Sequence, residues 1–275
     1  MNPETFHSAT IKKDIEPAQL SLGSDFDILH IVNPAILESM SPIYKLAYEK
    51  SRKIVQGNRI HIDGFTNYKD LDIDRQAVVE KVKRINSQES LEGGAEAVVQ
   101  AEILEALIYD MVKNHQWFGP LSSAILPSNY DDLFLGNDII LEQKLEGGFF
   151  SYSGVGIDIT IGEPSLLKKL EITKRKLRKG ELGKVKYFMS PNSNHKGELD
   201  NIPHFVIGVD RDNLFRLVQA WSRDDYESLK KDKTRQTLLK MMILECDEFA
   251  QIGGLVKEIY MREKFLLEKM LRSIS

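Results

Sequence analysis

The chain has 275 residues, 42% of them hydrophobic and 28% charged, which is ordinary globular composition and enough for one large domain or two small ones. A net charge of −4 excludes a polynucleotide partner recruited by bulk basicity, so any nucleic-acid surface has to be local. A single cysteine, Cys246, excludes an intramolecular disulfide, and six histidines scattered without ligand spacing argue against zinc, which leaves oxygen ligands for any metal.

The first 25 or so residues are polar and unpatterned. MNPETFHSATIKKDIEP lacks the apolar core of a signal peptide, and no run of about 18 apolar residues follows, so the expectation is a soluble, cytoplasmic chain with no membrane partner. ILHIV, after Asp27, suggests a short strand. Pro34 opens a helix to about Val55 closed by Gly57, and RIHIDGF, from Arg59 to Phe65, alternates like a strand. Asp72 or Asp74 caps a helix through Ile85, and SQESLEGG, 87–94, reads as a loop and a boundary. Residues 1–90 therefore form an α/β extension whose chemistry the sequence leaves unnamed.

From Ala95 to His115 the apolar residues Ile103, Leu104, Leu107, Ile108 and Met111 define one helical face. Carried back, that phase puts Glu96 and Gln100 on the same face, with Glu102 and Glu105 mainly on the other side. A carboxylate aligned with a core face pairs, hydrogen-bonds or approaches a metal, unless Glu96 lies exposed in the first turn.

The central stretch, 129–162, reads as two strands joined by Gly147-Gly148. Val155, Ile157, Ile159 and Ile161 alternate with Gly154, Gly156, Asp158 and Thr160, so one face is core and the other is free for chemistry. In the first strand Asp138, Glu142 and Lys144 share parity. A turn at the glycine pair sets opposite one another residues whose numbers sum to about 296, bringing Asp138 across from Asp158 at roughly 5 Å. Two carboxylates that close repel without a cation or proton between them, which makes the pair a candidate divalent-metal site; the alternative is two strand-end aspartates facing water.

Pro164 and Ser165 open a helix that stops at Gly180, and nine Lys or Arg residues stand against two Glu between Lys168 and Lys186. Such a run is either a solvated face or a phosphate contact. KVKYFMS reads as a strand, SPNSNHKGELDNIP as an exposed loop and HFVIGVD as a strand buried on both faces. Helices follow over about 213–222, 225–249 and, after Gly253-Gly254, to about Leu271. Their Trp221, Met241, Met242, Phe249, Tyr260 and Phe265 are expected in the core.

The order helix, two or three strands with a hairpin, basic helix, strand, strand, with a carboxylate entering one strand and an acidic residue in the next, resembles the PD-(D/E)XK nuclease superfamily. The resemblance covers residues 91–212, and 213–275 would be a helical region packed on that core. It implies an α/β (α+β) fold with a central mixed sheet flanked by helices, one or two Mg²⁺ or Mn²⁺ ions, and phosphodiester hydrolysis. Asp138 matches the PD aspartate, with Asn137 in the proline's place; Asp158 matches the (D/E); Glu96 is the choice for the first helix's glutamate. Asp138 and Asp158 are then the metal ligands. Thr160 stands where the family has lysine, and Lys168 or Lys169 on the following helix would replace it.

A rival register uses Asp131 or Asp132 with Glu142-Gln143-Lys144, which spells E-x-K; otherwise Asp131-Asp132 caps a turn or adds an outer-shell ligand. The two registers are alternatives, because six residues at about 3.3 Å place Lys144 roughly 20 Å from Asp138 along the strand. On the first, the metal activates a water that the lysine orients, and Lys174, Arg175, Lys176 and Arg178 hold the nucleic-acid backbone without reading sequence. The missing E-x-K lysine equally fits an inactive nuclease fold kept as a nucleic-acid-binding or assembly module. DNA and RNA are not distinguished, and a homodimer is left open.

Overall fold

In the computed structural model the described residues are 34–92, 95–143, 154–193 and 195–275. Two helices, α1 (Pro34–Ser39) and α2 (Pro42–Asn58), replace the single helix expected there. Ser41 is extended, with ψ 151°, because a residue before proline is driven out of the helical region, and Pro42 then starts the second helix. Arg59–Phe65 is not a strand. Only Arg59 bridges, to Leu126, and Ile62–Gly64 is a 3-10 turn. Helix α3 (Leu71–Glu92) runs through most of the expected 87–94 loop, since polar residues do not end a helix and the first breakers are Gly93-Gly94.

Helix α4 (Ala95–His115) has the expected ends. Strands β1 (Ser122–Ile125), β2 (Ile139–Gln143), β3 (Val155–Ile161) and β6 (His204–Val209) form a mixed sheet in that order, antiparallel except for the parallel β3–β6 pair. The hairpin register is the expected one: Ile139 with Ile157, Ile140 with Gly156 and Leu141 with Val155 each sum to 296. The Gly147-Gly148 turn and Lys144 lie outside the described residues, as does the expected ILHIV strand, 28–32.

Helix α5 (Glu163–Arg178) follows β3. Strands β4 (Gly183–Met189) and β5 (Lys196–Ile202) make a separate two-stranded sheet, so part of the expected 190–203 loop is a strand. Its polarity hid it: only Leu199 and Ile202 of β5 are buried, as suits a short strand at an exposed edge. Four helices complete the chain, α6 (Arg211–Trp221), α7 (Tyr226–Lys231), α8 (Thr234–Ala250) and α9 (Gly254–Ile274). The expected 225–249 helix is divided at Asp232, which is extended and accepts from Thr234 N at 2.8 Å.

One apolar cluster joins the odd-numbered residues of β2, β3 and β6 to α2, α4, α6, α8 and α9, so all three sequence segments contribute to it. A smaller one joins Ile125 and Ile140 to Val185, Tyr187, Phe188, Leu199 and Ile202 of the second sheet. The main sheet is thus covered on both faces. Its β6 edge is closed by side chains: Tyr260 Oη bonds both His204 N and His204 O, and Glu245 accepts from Val206 N at 3.0 Å. Trp221, Met242, Phe249 and Tyr260 are core residues as expected and Met241 is partly so, but Phe265 faces solvent at 62% exposure. No helix among the described residues is long and apolar enough to cross a membrane.

Candidate active site

The free end of the hairpin, where β2 begins, meets α4 and α5 at a cavity of about 500 Å³. Glu102 and Glu105 reach it from α4, Asp132 from a wide π-type turn (Asp131–Leu135), Asp138 from the residue before β2, Lys169 from α5 and Arg59 from the link after α2. That turn is anchored by Asp131, which accepts from Ser128 Oγ and Lys186 N at 2.6 Å each and from Tyr187 N at 3.1 Å. Gly136 closes it with φ 75°, a left-handed conformation that favours glycine. The next residue, Asn137, is buried and donates to Lys184 O at 2.9 Å. A Cβ on Gly156 would lie 2.2 Å from Asn137 Oδ1, so this approach requires glycine.

Asp138 brackets the residue opposite it. Its N–H donates to Ile157 O at 2.9 Å and its carboxylate accepts from Ile159 N at 2.6 Å, the two neighbours of Asp158. Asp158 accepts from Lys169 Nζ, which also donates to Ile159 O at 3.0 Å. Arg59 spans two more acids, donating to Asp132 Oδ2 at 2.7 Å and to Glu105 Oε1 at 2.9 Å. Its side chain is only 9% exposed.

Four carboxylates, Glu105, Asp132, Asp138 and Asp158, therefore crowd this end of the sheet around Arg59 and Lys169, with Glu102 and Arg52 also lining the cavity. Burial, followed by repulsion from Asp158, Asp132 and Glu105, holds the Asp138 carboxyl well above its ordinary range, with Lys169 opposing. Burial also raises Asp132 against the pull of Arg59, and pushes Glu105 up to about 8 with Asp132 and Glu102 adding repulsion. Burial acts against the Arg59 guanidinium too, but the surrounding acids outweigh it and raise its pKa. Carboxylates alone supply hard oxygen donors, the set that suits Mg²⁺ or Mn²⁺. As they stand, no three acidic, histidine or cysteine side chains among the described residues converge closely enough to hold an ion.

Of the sequence candidates, Asp138 and Lys169 line the cavity, and Asp158, itself outside the lining, is tied to it through Lys169. Glu96 does not reach it: it is exposed and accepts from Gln100 at 3.0 Å. Glu105 lies nine residues on, half a turn around the helix from Glu96 and about 13 Å along it, on the side expected to lie mainly opposite the apolar face. Helix α4 is buried on nearly all sides from Ile103 to Val112, so its largest apolar face did not identify the side that meets the sheet. Lys168 is exposed and does not line the cavity. Thr160 is buried beside Gly208 of β6 and is likewise outside the cavity lining.

The rival register is dispersed. Glu142 is buried and accepts from Asn192 at 2.6 Å, Gln143 donates to Glu263 of α9, and Asp131 is committed to β4. On the basic helix Lys174 pairs with Glu248, whereas Arg175, Lys176 and Arg178 are exposed. Arg59 had no sequence signal beyond its place in an alternating segment.

These features define a mixed α/β protein with a recessed acidic cavity at one end of its sheet. Comparison with protein-family models, with curated proteins and with solved structures gives no match.

Proposed function

We propose that this chain hydrolyses phosphodiester bonds of nucleic acid with a divalent cation, Mg²⁺ or Mn²⁺, as a divergent relative of the PD-(D/E)XK nucleases. One observation carries the reading: Glu105, Asp132, Asp138 and Asp158, from a helix, a turn, the residue before β2 and β3, crowd one end of the sheet, where Arg59 pairs with two of them and Lys169 with a third. With all groups ionised, these four acids against Arg59 and Lys169, and Glu102 against Arg52, keep two uncompensated negative charges, the charge of one divalent ion. Asp138 is the member with no ion pair among the described residues, and together with Asp158 it is the ligand pair; Glu105 takes the place expected of Glu96.

Such an ion, when bound, supplies polarisation of the phosphate and a water of lowered pKa. The chain's own residues do the rest. Lys169 commits two of its three N–H groups to Asp158 and Ile159 O, which leaves one for a water or a phosphate oxygen. Arg59 fixes the positions of Glu105 and Asp132. Lys176 follows Lys169 by two turns, about 10 Å along the same side of α5, and with Arg175 and Arg178 offers a track for backbone phosphates.

A second reading, a nucleic-acid-binding or assembly module without activity, is favoured by the same ion pairs, since Arg59 and Lys169 already occupy three of the four carboxylates. Calorimetric titration of Mn²⁺ into the wild type and Asp158→Asn, with cleavage of mixed DNA and RNA, separates them. Mutation-sensitive binding with cleavage is expected; salt-dependent polynucleotide binding without cation-dependent cleavage would leave the inactive module.

A further inference from the structure

We infer that the substrate enters as an unpaired strand, a conclusion that rests on the nuclease reading for the position of the scissile phosphate. The acids are recessed. Side-chain exposure is 12% at Glu105, 17% at Asp158 and 25% at Asp132. The wall facing them comes from the segment before the sheet: Val55 of α2, Val82 and Ile85 of α3, and Val98 and Ala101 of α4.

A phosphate can reach Asp138 only if the adjoining sugar and base enter the same space. A volume of about 500 Å³ is in the range of sites that enclose a single small ligand. It accepts a nucleotide whose base has left its stack, whereas a base pair held in a duplex keeps both backbones outside. The aliphatic wall covers the face of a base without hydrogen-bonding it, while Ser51, Arg52 and Asn129 line the same cavity. Recognition of unpaired strands commonly adds aromatic stacking, and no aromatic side chain among the described residues lines this cavity; the contact is therefore weak. Arg59 and Lys169 face carboxylates, so attraction for the backbone falls to Arg52 at the cavity and to the exposed bases of α5 outside it.

The test uses the full chain with Mn²⁺ and one sequence presented as a labelled 20-nucleotide single strand and as its blunt duplex. Cleavage and fluorescence anisotropy are both recorded. The expected result is cleavage of the single strand at least 100-fold faster than of the duplex and binding at least tenfold tighter. Val98→Phe and Val55→Phe, each confirmed folded by circular dichroism, are expected to weaken single-strand binding about tenfold by filling the wall. Equal cleavage of the duplex overturns the inference and leaves the nuclease reading standing. Absent cleavage with selective single-strand binding removes the nuclease reading and keeps the unpaired-strand site. Equal or absent binding of both forms, or folded wall variants that bind as wild type, overturns the inference.

Discussion

Asp131 and Asp132 are neighbours in the chain and belong to different regimes. On the small-sheet side Asp131 receives three hydrogen bonds, and Asp74 receives Tyr187 Oη at 2.6 Å and the Lys186 ammonium at 2.5 Å. Each acid there has donors of its own. On the cavity side Asp132 shares Arg59 with Glu105, and Asp138 has one backbone N–H and three acids around it. Buried polar groups are normally satisfied, so acids crowded together without enough donors are the ones whose cost calls for a ligand. The contrast separates structural aspartates from candidate catalytic ones within two adjacent residues.

The largest effect that sharpens the contrast comes from removing a cation on each side. Arg59→Met leaves Glu105 and Asp132 buried and unpaired, an expected loss of about 3–5 kcal/mol. Urea unfolding with and without excess Mn²⁺ reads it, and the ion is expected to restore more stability to the variant than it adds to the wild type. Lys186→Met on the other side is expected to lose less, because Tyr187 still serves Asp74, and to gain nothing from Mn²⁺. Equal recovery in both variants would erase the distinction between the two sides.

Next in size are the aspartates themselves. Asp138→Asn keeps an acceptor for Ile159 N and removes one repelling charge, so its stability is expected to hold or rise while cleavage falls by more than about 100-fold, beyond the effect of an outer-shell change. Asp131→Asn puts an amide where two backbone N–H groups and a hydroxyl need oxygens, an expected loss of about 2–3 kcal/mol with cleavage per folded molecule unchanged. Thermal unfolding and initial rates on the same preparations decide; a catalytic loss at Asp131 with full stability would reverse the assignment. Gly156→Ala forces a methyl against Asn137 and is expected to cost about 1–3 kcal/mol, measured in the same way.

What the sequence discloses follows the range of each signal. Alternation in 155–161 and a Gly-Gly turn specify one hairpin register, so Asp138 and Asp158 are found from local pattern alone. The resemblance offers Lys168 or Lys169 without choosing between them, and the packing of α5 on β3 brings Lys169 to that strand while Lys168 is exposed. Arg59 and Glu105 depend on how α2 and α4 pack, separations of 46 residues and more that no local period encodes. The weakly patterned β5 is invisible for a related reason, since its partner strand, not its own residues, makes it a strand.

The smallest effect concerns a third setting for a buried acid, at the β6 edge. Glu245 has a donor, Val206 N, but its other oxygen has no hydrogen-bond partner among the described residues. Burial first, then Glu248 and Asp158, raise its pKa well above the ordinary glutamate value of 4.5, with the Val206 hydrogen bond opposing. A carboxyl raised in the folded state contributes stability below its unfolded pKa and loses that contribution as pH rises toward the folded value. Glu245→Gln keeps an acceptor for Val206 N and cannot ionise. The variant is therefore expected to melt a few degrees above wild type at pH 8 and to show no such advantage at pH 4. Each degree is small beside the losses above, because this acid lacks only part of its hydrogen bonding. A gain of equal size at both pH values would show that charge is not what distinguishes Glu245, and would place it with the satisfied acids of the small-sheet side.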